Sequence, residues 1–417
     1  MKYKLADVLK NKTQGVNTTT DKIKYVDIGY KIVQAKNIEE YNVTFDENNY
    51  IDEETFNRVK ENHKLHKGDV LYTNIGSQLG NSALYNSDEK AIITWNVMKL
   101  IPNEKLISSG FLCYLLNYNK LKIKTLNSSS TMPFVSGKEL MNFEINIPAL
   151  EIQNKITKIL NMIQSKIRLN NQINDNLHKL SDELYKGWFI DYNYPNSNGK
   201  LKESSLGLIP EDWRVERLET VAECQNGYAF YKDGYDKDGL MVIDLGNINL
   251  NGTFIYTNAD KYIMPDRVET DKFNKYKVYK NDLIMVMTDR KATMELLGKT
   301  GKIFEDKEFL LNQRMYRIRS KINTNYLYTA LNNDLVLNKL KSKALGSVQK
   351  YVNTGHINEL DILIGTDEVM EKFSNMVDPI YAEIENRTIE NTRLENLRDS
   401  LLPKLMNGEI DLDKIEI

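Results

Sequence analysis

Two stretches of the chain repeat apolar residues at helical spacing for several turns. In 151–189, a seven-residue count from Ile156 puts Ile156, Ile163, Leu177 and Leu184 at position a, with Ile159, Ile173 and Leu180 at d. In 367–406 the same count puts Phe373, Ile380, Leu394 and Leu401 at a, with Met376 and Leu397 at d. Both seams are interrupted at the same heptad, by Asn170 in the first and Arg387 in the second. A polar residue at one a position fixes register at some cost in stability. A one-residue slip follows, Ile389 taking the apolar role of Ile173. Each helix can pack on its own domain, or the two can pair. Matched seams of matched length favour an antiparallel coiled-coil pair, with Trp188 and Phe189 docking the first helix end against a domain. At about 1.5 Å per residue, 151–189 makes a rod of roughly 58 Å.

Outside the helices the pattern changes to short apolar runs between turn residues, as at 70–73, 91–94, 283–287 and 315–318, which predict strands. These runs recur. A shift of 217 places Leu177, Leu180, Asp182 and Leu184 on Leu394, Leu397, Asp399 and Leu401, and Phe134-Val135 on Tyr351-Val352. Nearer the start of each half the shift is 213, with Leu5 and Val8 on Leu218 and Val221. There Lys67-Gly68-Asp69-Val70-Leu71 falls on Lys280-Asn281-Asp282-Leu283-Ile284. An ordered series of matches marks a duplication, and the drift reflects small loop insertions. The expected class is α+β with an internal pseudo-twofold repeat. Its parts are a mixed α/β domain over 1–150, a central helix over 151–192 and a linker over 193–204. A second mixed domain over 205–365 and a C-terminal helix and tail over 366–417 complete it.

Charge changes this picture little. The net charge is −2, but residues 1–150 carry 19 Lys and Arg against 17 Asp and Glu, and 200–365 carry 25 against 23. The acidity sits in 366–417, with 6 against 13. Two mildly basic domains permit a nucleic-acid face without demanding one. No apolar run reaches the roughly 18–20 residues that a membrane span needs, and the first residues carry no signal-peptide pattern. Cys113 and Cys224 read as unpaired thiols of a cytoplasmic protein.

Candidate DNA contacts also come in matched sets. Lys120, Lys122 and Lys124 precede Ser128, Ser129, Ser130 and Thr131, while Lys339, Lys341 and Lys343 precede Ser347, Gln349 and Lys350. A basic strip supplies phosphate contacts, and a loop of small hydroxyl and amide residues can approach base edges. The flanks match while the loops differ, as two similar frames reading different sites would; a solvated lysine face is the plainer alternative. Further candidates follow the strands at 70–73 and 283–287. They are Asn74 and Gln78 in the first half and Arg290 and Lys291 in the second, with Gln78 suited to adenine and Arg290 to guanine.

Catalytic chemistry is not legible. His63, His66, His178 and His356 show no metal spacing with cysteine or carboxylate partners. Gly298-Lys299-Thr300 ends like a P-loop, yet Thr293 stands where its first glycine belongs. No Gly-x-Gly occurs, and Asp378-Pro379-Ile380-Tyr381 lacks the second proline of a methyltransferase tetrapeptide.

The exit of the first helix, Leu184-Tyr185-Lys186-Gly187-Trp188-Phe189-Ile190-Asp191-Tyr192, resembles the specificity (S) subunits of type I restriction-modification systems. So do the entry to the second half, from Gly207 through Pro210 to Trp213, and the second exit, Leu401-Leu402-Pro403-Lys404-Leu405-Met406-Asn407-Gly408. The resemblance covers nearly the whole chain, although the first half lacks the lead to Trp213 and begins at Tyr3-Lys4-Leu5. It implies two target-recognition domains separated by the paired helices, each reading one half of a bipartite site in double-stranded DNA. The helices set the spacer and dock two methyltransferase subunits, which carry S-adenosylmethionine and modify adenine N6. Two restriction subunits using ATP and Mg can join that core, the sequence leaving open whether they do, and no cofactor belongs to this chain. A coiled-coil scaffold that never touches DNA is the competing reading, and an enzyme with an unrecognised site is a third.

Overall fold

The computed structural model describes residues 2–45, 49–127, 132–230, 234–257, 259–291, 293–347 and 349–412. The chain forms two compact units, one from Met1–Arg168 with Arg393–Ile417 and the other from Leu169–Thr392.

In the first unit, Leu9–Gln14, Val97–Pro102, Val70–Thr73 and Ser82–Leu84 lie side by side as an antiparallel sheet. Every residue of Val70–Thr73 is buried, because the sheet has a core on each face. Side chains alternate along a strand: Val70 and Tyr72 join Phe111, Leu112 and Leu116, while Leu71 joins Val33, Ile38 and Tyr85. A second sheet orders Tyr25–Val26, Asn49–Ile51, Tyr30–Val33 and Ala91–Ile93, its last pair parallel. Lys2–Lys4 pairs with Glu144–Asn146.

The second unit repeats this plan. Ala222–Asn226, Met315–Ser320, Leu283–Val286 and Thr300–Lys302 form the antiparallel sheet. Lys261–Ile263, Leu240–Ile243, Phe309–Leu311 and Lys277–Val278 form the second, again with one parallel pair. Arg214–Arg217 pairs with Asp361–Ile364 as Lys2–Lys4 does with Glu144–Asn146. Leu283 and Met285 face one core while Ile284 and Val286 face another. Residues 201–210, read partly as a loop, contain a hairpin of Leu201–Ser204 and Gly207–Pro210.

The long helices run over Leu150–Tyr185, closing in a π turn at Lys186–Ile190, and over Asp367–Met406. In each unit their portions pack antiparallel. In the first, Arg398 Nη1 donates to Gln164 Oε1 at 3.2 Å, and Leu402 and Leu405 share a core with Ile156 and Leu160. In the second, Asn170 meets Asn391, Asn174 meets Thr388, and Ser181 meets Tyr381. Asn170 is fully buried. Its amide donates to Asn391 Oδ1 at 2.9 Å and Glu390 Oε2 at 2.8 Å, and its carbonyl accepts from Arg387 Nη1 at 3.0 Å. The two polar interruptions of the seams are therefore hydrogen-bonded to each other.

One detail of the heptads is corrected. Leu180 and Leu397, read at d, are 44% and 45% exposed. The buried stripe instead steps four residues from a, through Leu160, Ile167, Asn174 and Ser181 on one helix and Val377, Ile384, Asn391 and Leu405 on the other. The second helix stops in a Schellman arrangement: Glu409 N donates to Lys404 O, Gly408 N to Leu405 O, and Gly408 adopts φ +72°.

Candidate nucleic-acid interface

In each unit, three segments meet at one end of the antiparallel sheet. In the second unit, Met287 N donates to Arg314 O at 3.0 Å and Val352 N to Met287 O at 3.0 Å. Thr288 and Asp289 pair with Tyr351 and Lys350. Asp289 shapes the loop beyond the strand, accepting from Lys291 N at 2.8 Å and Leu296 N at 2.7 Å. In the first unit, Thr73 pairs with Val97, Ile75 bridges Phe134, and Val135 N donates to Asn74 O at 3.1 Å. The matched strands, the loops after them and the segments 132–135 and 349–352 thus occupy equivalent places.

This arrangement brings together several residues singled out in the sequence. Arg290 is exposed, and neither it nor Lys350 has an ion-pairing carboxylate among the described residues. Lys291 pairs with Glu295 at 2.6 Å. Ser347 is exposed, and the Gln349 Nε2 atom is shielded from solvent without a hydrogen-bond partner among the described residues. Asn74 is buried and exchanges hydrogen bonds with Gln14 at 3.0 and 3.2 Å. Gln78 accepts from Asn81 Nδ2 at 2.9 Å. Ser128, Ser129, Ser130 and Thr131 lie outside the described residues.

The lysine triplets sit on helices rather than on extended strips. Lys120–Lys124 is one helical turn, while Lys339 and Lys341 belong to the helix Asp334–Ser342, which Lys343 caps. On a helix the first and third lysines of a triplet share a face and the middle one turns away. The leading lysine of each triplet holds the fold. Lys120 Nζ meets Glu40 Oε1 at 2.6 Å and Asn81 Oδ1, and Lys339 meets Asp361. Burial, reinforced by Lys120, holds the Lys124 ammonium below the usual lysine range. Lys122 lies over the Tyr118 ring at 5.9 Å. Lys341 and Lys343 have no ion-pairing carboxylate among the described residues.

Ile156 and Leu401 join the core of the first unit, and Leu177, Leu184, Trp188, Phe373 and Ile380 that of the second. Ile156, Ile163, Trp188 and Phe373 are buried, whereas Leu177, Leu184, Ile380, Leu394 and Leu401 are half-buried. Trp188 and Phe189 pack on Phe373, and Phe189 on Trp213 at 5.1 Å between centroids.

Sequence reasoning missed the turns 94–97 and 312–315. Val97 N donates to Thr94 O at 2.8 Å and Met315 N to Asn312 O at 2.9 Å, closing the same turn in both units. Their four residues differ at every position. The usable signal was the flanking pattern, a buried apolar run before each turn and a buried strand after it.

Among the described residues, no group of three His, Cys, Asp or Glu side chains could hold a metal ion. No described helix is long and apolar enough to cross a membrane. Gly298 turns the chain at φ +82° into Thr300–Lys302, and burial lowers the affinity of the intervening Lys299 for its proton.

Residues 1–179 and 210–395 match the family described as Type I restriction modification DNA specificity domain. The chain is 25% identical over 412 residues to the Type I restriction enzyme HindI specificity subunit of Haemophilus influenzae, covering 83% of this chain and 87% of that one. It is also 25% identical over 355 residues to the MjaVIII specificity subunit of Methanocaldococcus jannaschii, covering 83% and 80%. The crystal structure of the type I S subunit from M. genitalium aligns with a TM-score of 0.52 at 14% identity, covering 97% of this chain and 95% of that one. With the repeated fold and a family match over both halves, the chain belongs to the type I restriction-modification DNA specificity family.

Proposed function

We propose that the chain selects the DNA sequence for a type I restriction-modification complex, each unit reading one half of a bipartite site. The observation that carries this reading is the duplicated frame: equivalent strands, loops and turns bear different side chains in the two units. A shared frame holds the duplex similarly, and unlike side chains choose unlike bases. The two helices set the spacer and dock two methyltransferase subunits that bind S-adenosylmethionine and modify adenine N6, and restriction subunits join that core. Chemistry resides in those subunits, so this cytoplasmic chain is not itself an enzyme.

Mapping methylated adenines in cells expressing the chain with its methyltransferase subunits tests this. Two short sequence blocks separated by unread base pairs are expected, and replacing 205–365 by the corresponding segment of a relative changes only one block. A single uninterrupted motif, or a change in both blocks, refutes the division of labour. A DNA-free scaffold would leave the assembled complex without salt-dependent affinity for duplex.

A further inference from the structure

The turns 94–97 and 312–315 are closed by the same backbone hydrogen bond and carry different side chains. Each follows the strand that pairs in parallel within the second sheet, and each is crossed by a glycine-led segment. Val16 bridges Thr94 in parallel, and Tyr228 bridges Asn312 in parallel. At the crossings a Cβ on Gly15 would lie 2.2 Å from Thr94 O, and one on Gly227 would lie 1.9 Å from Asn312 O. The frame therefore demands glycine at the same place twice and holds both turns tightly against a neighbouring chain segment.

Backbone groups tie the tips to that frame, Trp95 N donating to Val16 O at 2.8 Å, and Asn96 Oδ1 accepts from Thr94 Oγ1, which leaves the Asn96 Nδ2 group and the neighbouring side chains for a ligand. Trp95 is 43% exposed, whereas Trp188 and Trp213 are 9% and 1% exposed. At the equivalent place Gln313 presents an Oε1 atom shielded from solvent and without a donor among the described residues. Arg314 has no ion-pairing carboxylate among them, and its carbonyl is bonded to Met287 N beside the strand-end loop that carries Arg290. Lys350, opposite Asp289 in the backbone ladder, lies on that same loop-lined edge. A guanidinium matches the O6 and N7 acceptors of guanine, an Asn or Gln amide matches adenine, and an exposed indole offers an apolar or stacking contact.

Resting on the reading above, we infer that these paired turns are specificity determinants: Trp95 and Asn96 select bases in one half-site, and Gln313 and Arg314 in the other, with Arg314 reading a guanine. Arg290 and Lys350 hold the phosphates beside it.

The test uses the chain assembled with its methyltransferase subunits. Methylated-adenine maps are compared for the wild type, the exchange Gln313→Trp with Arg314→Asn, and the reverse exchange Trp95→Gln with Asn96→Arg. Each exchange should alter one block of the motif and spare the other. Competition among duplexes varied one base pair at a time gives a second readout, which decides the matter if an exchange silences methylation. Arg314→Ala should lower discrimination at one guanine roughly ten- to a hundredfold and leave the other positions unchanged. Unchanged motifs, or an Arg314→Ala loss spread evenly over all duplexes, overturn the assignment. A wild type with no bipartite motif defeats the functional reading itself, whereas a bipartite motif indifferent to the exchanges defeats the turns alone.

Discussion

His178 lies edge-on to the Tyr328 and Tyr381 rings, and its Nε2 atom is shielded without a hydrogen-bond partner among the described residues. Burial pushes its imidazole down to about 4. The unfolded chain takes up this proton first as pH falls below the usual histidine value of about 6.5. Stability from the neutral ring is thus complete above that pH and is lost as pH falls towards 4, by about 3 kcal/mol. One helical turn away, Asp182 has the opposite sign. Burial raises its carboxyl to about 6 against the pull of Lys299, so its penalty is relieved as pH falls through that value. Urea midpoints at pH 7 and pH 5 should show His178→Gln losing less stability on acidification than the wild type. Equal losses would remove the histidine from the account.

At the level of elements, the polar layer around Asn170 dominates the helix pair. Asn170→Ala removes the shared partner of Arg387, Glu390 and Asn391, and strips the buried Asn391 Oδ1 of the amide that donates to it. A loss of about 2–4 kcal/mol in denaturant unfolding is expected, whereas Leu180→Ser on the exposed face should stay within about 0.5 kcal/mol. The same contrast explains what the sequence could and could not disclose. Position a was legible because Ile156, Ile163 and Phe373 are both apolar and buried. The second stripe was hidden because Asn174 and Ser181 are polar yet buried, their partners being Thr388, Tyr381 and Thr329 across the packing. Leu180 looked like core and is not. Similarly, the loops after 70–73 and 283–287 could be found from matched strands. The turns at 95–96 and 313–314 share no residue, so their equivalence shows in the flanking strands, the glycine crossings and the backbone hydrogen bonds rather than in the tips themselves. Ion pairing was equally illegible: Glu40 and Asp361, which engage Lys120 and Lys339, lie 80 and 22 residues away.

For the whole molecule, the division of the chain matters more than any single contact. The second unit is one continuous segment, Leu169–Thr392, whereas the first draws Arg393–Ile417 back onto Met1–Arg168. Leu402, Leu405 and Leu412 are buried among Leu112, Leu115, Ile156 and Leu160. On a ribosome, that core stays open until Leu402, Leu405 and Leu412 have been made, although Leu112, Leu115, Ile156 and Leu160 emerged well before them. The segment made in the middle can close before the one made at the start, reversing the usual amino-to-carboxyl order of domain maturation. A chain ended after Thr392 should therefore keep slow amide exchange within Leu169–Thr392 and lose it around Leu112 and Ile156. Equal protection in both would show that the returning segment is dispensable. The first reader is thus built on credit, waiting for three leucines that follow the whole of the second unit in the chain.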